Sequence, residues 1–182
     1  LYYAMLCYAM LDATTLHWNS HRPCATDDDE CAAAARQSLA TLAAESGAQI
    51  VGAVELQGAS VGGFQSSGSQ CDNSHVMVAR AWKITKSGGA CMGGDSNKGF
   101  AVVLTEPPKE VHGCPKICIF MGHVPHPGAS ISGHSEISSV CGGAEKNCMI
   151  AMADWNRASP SGPWSTLFDS SPTLVEPNSP TC

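Results

Sequence analysis

The hydrophobic and polar positions of this chain alternate between short apolar runs and polar stretches, and four of the runs end abruptly in a polar side chain. Apolar runs of this length, bounded by polar or glycine-rich segments, predict buried β-strands. Polar residues at strand ends lie at a sheet edge, where α/β proteins bind their ligands. The side chains at these four ends are Asn19, Glu55, His123, and the pair Asp154 and Asn156.

One stretch has helical periodicity. Residues 30–46 place apolar side chains at helical spacing, and Gly47 follows as a stop. The acidic run 27–30 is also compatible with an ion site, but its position favours capping of the positive helix end. We therefore predict a helix, followed by a strand over 50–55 that runs parallel to the strand ending in Asn19. This right-handed βαβ unit places both polar strand ends at the same edge.

The middle of the chain predicts an antiparallel meander, and hence a mixed sheet. Residues 75–85 alternate in polarity as one long strand or a hairpin, and residues 99–105 form the next strand. Two loops are predicted, over the glycine- and serine-rich residues 58–69 and over residues 87–98.

The two ends of the chain carry separate predictions. The apolar segment 1–11 is too short to span a bilayer and is interpreted as a first strand or the remnant of a processed segment. Five prolines between residues 159 and 182 argue against a central strand, because proline cannot donate to the ladder. We therefore predict an irregular, Pro/Ser-rich tail over residues 158–182.

Composition narrows the classes of protein that remain. With 182 residues, of which 43% are hydrophobic, the chain can bury the core of a single domain, taken as residues 1–182. A formal charge of −6 with scattered basic residues argues against binding nucleic acid through a basic surface. An acidic protein can still act on phosphate esters if a divalent cation supplies the local positive charge.

The ten cysteines predict an oxidising compartment and several disulfide bonds. Connectivity does not follow from the sequence, but three pairs are close enough to close small loops: Cys24 with Cys31, Cys114 with Cys118, and Cys141 with Cys148. The spacing of Cys114 and Cys118 is also that of a structural zinc site, although no second pair accompanies it. The expected localisation is secretion or another oxidising compartment.

Four motifs together resemble those of the endonuclease/exonuclease/phosphatase superfamily, which includes pancreatic deoxyribonuclease. In chain order they are Trp18-Asn19, Glu55, Gly122-His123-Val124-Pro125-His126, and Ala153-Asp154-Trp155-Asn156. The resemblance covers residues 14–157 and implies an α/β fold of the α+β kind, a two-sheet mixed β sandwich flanked by helices in four layers, α/β/β/α. Two features depart from the family pattern: Ala153 replaces the usual glycine, and the family's closing Asp-His pair is absent.

The resemblance also implies a site. Glu55 and Asn19 would bind Mg²⁺, or Ca²⁺ or Mn²⁺ in its place. His123, Asp154 and Asn156 would be catalytic, and Asn19, Asn156 and His126 would contact the substrate. Each residue also has a structural interpretation: Glu55 as an ordinary strand end, Asn156 as a turn cap, and His123 as a hydrogen-bonding histidine.

Two functional hypotheses follow. The first is a secreted, metal-dependent phosphodiesterase of nuclease type, acting on a phosphodiester substrate such as nucleic acid, in a form cut short at its C-terminus. The second is a non-catalytic binding or structural subunit that keeps the sandwich. In the family a C-terminal Asp-His pair tunes the general base. Without that pair, or another chain that supplies it, these residues are expected to be slow or inert. No membrane span is expected.

Overall fold

The structure, a computed structural model, describes residues 6–10, 13–20, 29–69, 71, 73–93, 98–111, 113–144, 148–156 and 161–168. Within these residues the chain forms nine strands and three helices. They are β1 (Leu6–Met10), β2 (Ala13–Asn19), α1 (Asp29–Glu45), β3 (Ile50–Val54), β4 (Phe64–Gly68), β5 (His75–Ala79), β6 (Lys83–Cys91), β7 (Gly99–Glu106), β8 (Ile117–His123), α2 (His134–Cys141), β9 (Met149–Asp154) and α3 (Ser161–Leu167).

The strands form two mixed sheets. The first has the order β1-β2-β3-β5-β4, and the second has the order β6-β7-β8-β9. Each sheet contains one parallel pair, β2 with β3 in the first sheet and β8 with β9 in the second, and its other pairs are antiparallel. The predicted parallel unit around helix α1 is confirmed.

The buried side chains divide into three layers, which place the helices outside the two sheets. Leu39 of α1 packs with Val51 of β3 in one cluster, on the outer face of the first sheet. Ile137 of α2 and Leu167 of α3 pack with Phe120 of β8 in another, on the outer face of the second. The third cluster lies between the sheets. The expected four-layer α/β/β/α sandwich is confirmed.

Strand β3 shows why its sequence is continuously apolar. Ile50 and Val54 face the space between the sheets, whereas Val51 and Ala53 face the helix layer, and all are fully buried. Gly52, on the inner face, lets the sheets approach closely, because a Cβ atom there would lie 2.5 Å from the sulfur of Met121. Strand β3 is therefore buried on both faces, and Glu55 directly follows it.

The prediction of one strand or hairpin over residues 75–85 is wrong. β5 ends at Ala79 and β6 begins at Lys83, and the two strands belong to different sheets. Trp82 is buried between the sheets at the crossing, and its backbone N–H donates to the carbonyl of Ala79 at 2.8 Å. Alternating polarity suits a strand in either sheet, so the pattern does not reveal the crossing.

Three irregular segments predicted from glycine, serine and proline contain regular structure. Residues 64–68 form β4, and β6 extends through Cys91 into the predicted loop over 87–98. Both are edge strands, where small side chains and a partly exposed face are tolerated. Residues 161–167 of the predicted tail form α3, whose Pro163 lies in the first turn, where proline is compatible with a helix.

Three disulfide bonds join described residues: Cys71–Cys91, Cys114–Cys148 and Cys118–Cys141. The predicted pairs Cys114 with Cys118 and Cys141 with Cys148 are therefore wrong. β8 and β9 are parallel neighbours, so cysteines near their starts are closer in space than cysteines along one segment. Cys31 is also disulfide-bonded, and its predicted partner Cys24 lies outside the described residues.

The disulfides indicate an oxidising environment. None of the helices in the described ranges is both long and apolar enough to cross a bilayer.

Candidate functional site

Four strand ends meet at one end of the sandwich. β2 ends at Asn19, and Glu55 directly follows β3, its parallel neighbour. β8 and β9 likewise end in register, with His123 opposite Asp154. Parallel pairing in both sheets therefore carries the polar strand ends to the same side of the fold.

A hydrogen bond joins the two sheets at this end. The carboxamide nitrogen of Asn19 donates to a carboxylate oxygen of Asp154 at 2.8 Å. The other carboxylate oxygen accepts the backbone N–H of Asn156 at 3.0 Å. Asp154 is thus oriented by one donor from the opposite sheet and one from its own strand end.

His123 lies between the two carboxylates. Its Nδ1 is 3.5 Å from Oε1 of Glu55, and its Nε2 is 3.7 Å from Oδ2 of Asp154. The imidazole side chain is 3% exposed, against 10% for Glu55 and 31% for Asp154. The more exposed Asp154 therefore marks the side from which solvent or a ligand reaches the cluster.

Lys98 is part of this site and was missed by the sequence reasoning. Its ammonium lies 3.8 Å from Oε1 of Glu55 and 3.1 Å from Nδ1 of His123, and it is also close to Nε2 of that ring. Lys98 immediately precedes β7, which pairs antiparallel with β8 so that Phe100 lies opposite Gly122. This pairing is the signal that could have found it, because the start of β7 must lie beside the end of β8.

The backbone at two of these strand ends is left-handed. Glu55 has φ 59° and Asn156 has φ 49°, a region that residues other than glycine adopt infrequently. The hydroxyl of Ser20 donates to the carbonyl of Glu55 at 2.7 Å and holds that turn against the end of β2. Strained backbone of this kind is concentrated at functional sites.

The two remaining predicted residues are placed differently. The carboxamide nitrogen of Asn156 donates to the carbonyl of Val124 at 2.9 Å, so it links the ends of β9 and β8. His126 lies in the exposed loop after β8, where its carbonyl accepts the N–H of Ala129 at 3.2 Å. The roles of Asn156 and His126 toward a substrate stay predictions.

His17 lies in β2, two residues before Asn19, and sequence reasoning assigned it no role. It is buried, and its Nε2 makes no hydrogen bond within the part of the chain that the structure describes. Burial lowers the pKa of His17 to about 4, the charge of Asp154 opposes that shift, and His123 adds to it. The imidazole is therefore neutral at physiological pH and adds no charge next to the site.

The side chains at this site offer oxygen ligands to the predicted divalent cation. Glu55 provides a carboxylate and Asn19 a carboxamide oxygen, which are the hard ligands that Mg²⁺ takes together with several waters. No cluster of three His, Cys, Asp or Glu side chains suited to a metal occurs among the described residues. A site of one carboxylate, one amide oxygen and water does not require such a cluster, so the residues are chemically compatible with the ion.

Comparisons with known proteins identify relatives by structure alone. No protein-family model matches the sequence, and no curated protein matches it. The human Nocturnin catalytic domain, solved with a bound sulfate anion, superposes with a TM-score of 0.56 at 11% identity over 87% of this chain and 69% of that one. A mannosyl-6-phosphatase from Bacteroides thetaiotaomicron gives 0.56 at 12% identity over 85% and 69%.

A third structure, humanized D. rerio TDP2, gives a TM-score of 0.53 at 12% identity over 81% of this chain and 64% of its own length. At such low identity these superpositions establish a shared fold. This chain spans about two thirds of each of the three structures, from 64% to 69% of their lengths.

Proposed function

We propose that this chain, whose fold is that of the endonuclease/exonuclease/phosphatase superfamily, is a secreted, metal-dependent phosphodiesterase of nuclease type. The observation that carries the proposal is the position of His123 between the carboxylates of Glu55 and Asp154, at the strand ends where the two sheets meet. Phosphoester hydrolysis needs a donor to the phosphoryl oxygens beside groups that orient water and bind cations.

Each residue has a role that its contacts make chemically reasonable. His123 donates a hydrogen bond to a non-bridging phosphoryl oxygen as charge develops there. Asp154, held by Asn19 and by the N–H of Asn156, orients the attacking water. Glu55 and Asn19 would hold a divalent cation, Mg²⁺, Ca²⁺ or Mn²⁺, which would polarise the phosphoryl group and offset leaving-group charge.

The substrate contacts are assigned to the rim of the cluster. Asn19 and Asn156 position the phosphate, and His126 contacts it from the exposed loop after β8. A nucleic acid is one such substrate. Because the net charge is −6, the protein would recognise it at the phosphate and not through a broad basic surface. The disulfides support secretion, since such bonds persist in oxidising compartments.

The experiment is hydrolysis of a chromogenic phosphodiester by the full chain, with Mg²⁺ and with chelator. Any turnover should require the ion and should fall by on the order of a hundredfold in His123→Ala, because transition-state charge stabilisation is lost. His134→Ala, at an exposed position at the start of α2, is the matched control. Turnover that is equal in chelator, or unchanged in His123→Ala, refutes this mechanism.

The second candidate is a non-catalytic binding or structural subunit. It is favoured by the lack of an Asp-His pair in the sequence and by the lysine ammonium beside Glu55, the carboxylate assigned to the metal. Metal binding without turnover is its signature, and it is the outcome we expect for these 182 residues alone. Turnover without any added chain would instead show that another group, such as His126, acts as the base.

A further inference from the structure

Hydrogen bonds fix the backbone at Lys98 and at the residue that follows it. Its carbonyl accepts the N–H of Met92 at 2.9 Å, and the carbonyl of the next residue, Gly99, accepts the buried hydroxyl of Ser74 at 3.2 Å. Gly99 pairs with Cys91, which is disulfide-bonded to Cys71. The side chain of Lys98 therefore extends from backbone that is held in place at the start of β7.

The environment of Lys98 differs from that of the surface lysines. Its side chain is 11% exposed, whereas those of Lys83 and Lys116, both paired with Glu106, are 73% and 52% exposed. Holding a long cationic side chain inside a cluster costs conformational entropy and solvation. The contact with Glu55 offsets part of that cost, but it places a fixed positive charge where a phosphodiesterase must bind an anion.

The ammonium has the right chemistry for a phosphate. It carries three N–H donors and no acceptor, and its neighbour His123 is a further ring donor for the same anion. Lysine binds phosphate as a point charge on a flexible stem, so modest movement of the side chain is enough to exchange partners. Glu55 and a phosphate oxygen are alternative partners for the same ammonium.

We propose that Lys98 is a phosphate-binding residue of this site and that its charge competes with a divalent cation for Glu55. The proposal deepens the proposed function and rests on it for the substrate class, a phosphate ester. The proposal predicts that loss of the Lys98 charge changes two affinities in opposite directions. Removing the positive charge weakens anion binding, and because two cations near one carboxylate repel each other, it also strengthens binding of the divalent ion.

The experiment is calorimetric titration of the full chain with two separate probes, inorganic phosphate in the presence of chelator and Mg²⁺ alone. For Lys98→Met we expect phosphate affinity to fall about tenfold or more, equivalent to about 1.4 kcal/mol, and Mg²⁺ affinity to rise severalfold. Lys98→Arg keeps the charge and should stay within a few-fold of the parent for both probes. Lys86→Met is the matched control, since Lys86 is exposed and, among the described residues, its ammonium donates to the backbone carbonyl of Ser139.

Three results overturn the assignment: a parent chain that does not bind phosphate in chelator, equal phosphate affinity in Lys98→Met, or equal losses in Lys98→Met and Lys86→Met. A purely structural lysine would lower the melting temperature without moving the two affinities in opposite directions. If Lys98→Met does not fold, Lys98→Gln keeps most of the length and a polar end, and the same two affinities decide.

Turnover separates this inference from the proposed function. Lys98-dependent phosphate binding without any hydrolysis removes the phosphodiesterase proposal and leaves the Lys98 assignment. Metal-dependent hydrolysis whose KM is unchanged in Lys98→Met removes the Lys98 assignment and leaves the phosphodiesterase.

Discussion

Asn19 of the first sheet donates a 2.8 Å hydrogen bond to Asp154 of the second, so one contact both closes the end of the sandwich and orients a candidate catalytic carboxylate. The two residues are 135 positions apart in the chain. A contact of such long range forms only when both sheets are in place. Stability and site geometry are therefore coupled at this point.

The coupling between these residues can be measured by a double-mutant cycle of Asn19→Ala and Asp154→Ala. Because a hydrogen bond to a charged group contributes more than a neutral one, we expect a coupling of about 1–2 kcal/mol in the free energy of unfolding in urea. A cycle of Lys83→Ala with Asp154→Ala, between residues that share no described contact, should be additive. Additivity in both cycles would contradict the structural role of the bond.

Metal binding is expected to depend on Glu55. Mg²⁺ or Ca²⁺ should raise the melting temperature by mass action, and Glu55→Gln should abolish that rise. The metal-free variant should keep the fold but melt below the parent, because the nearly buried ammonium of Lys98 loses its carboxylate partner. The matched control is Glu106→Gln, at the end of β7, a half-buried carboxylate that also pairs with lysine and should leave the metal-induced rise intact when replaced. The same thermal scans of both variants check the result, and a rise that survives in Glu55→Gln would exclude the assigned ligand.

The buried His17 predicts a loss of stability in mild acid. Its pKa is lowered from 6.5 to about 4 in the folded chain, so the unfolded chain binds the proton first as the pH falls. The free energy of unfolding should therefore decrease by about 3 kcal/mol as pH falls from about 6.5 to about 4, and change little from this source below that.

His17→Leu, which keeps the volume roughly constant, should flatten this pH dependence in urea unfolding measured at several pH values. The exposed His134, changed to Leu, serves as the control and should leave the slope unchanged. An identical slope in His17→Leu and the parent would show that other groups cause the acid sensitivity.

The disulfide Cys118–Cys141 ties β8 to helix α2 across 23 positions of the sequence. Replacing both cysteines with alanine should lower the free energy of unfolding by about 3 kcal/mol, chiefly because the unfolded chain regains the freedom of that loop. Urea unfolding of the double variant against the oxidised parent measures the loss. Reducing agent should weaken the parent strongly and the variant less, and equal sensitivity of the two would argue against this bond.

The strand ends were predictable because their signal is local. Asn19, Glu55, His123 and Asp154 each stop an apolar run, and parallel pairing brings such stops together. Lys98 was not predicted, because it immediately precedes a strand whose neighbour is known only from the antiparallel register. For the same reason the sequence did not predict that the chain passes from one sheet to the other at Trp82, or which cysteines pair. Both depend on which strands are neighbours.

Predictions from amino-acid composition were wrong for an edge strand and for a short helix. Residues 64–68 are rich in serine and glycine, yet they form β4, because an edge strand needs little side-chain packing on its outer side. Pro163 suggested an irregular tail, although a proline in the first turn of α3 removes no helical hydrogen bond. Small residues favour an edge position for a strand, and proline favours the first turn of a helix. Neither prevents the strand or the helix from forming.

The left-handed backbone at Glu55 lowers the stability of the fold, while the carboxylate at that position is the proposed metal ligand. A side chain with a Cβ atom at φ 59° costs roughly 1–2 kcal/mol relative to glycine, which adopts this conformation freely. Glycine at position 55 would relieve that cost, but it would also leave the nearly buried ammonium of Lys98 without its carboxylate partner. Selection for heat resistance alone should therefore change positions 55 and 98 together, whereas selection for phosphoester turnover should keep both residues.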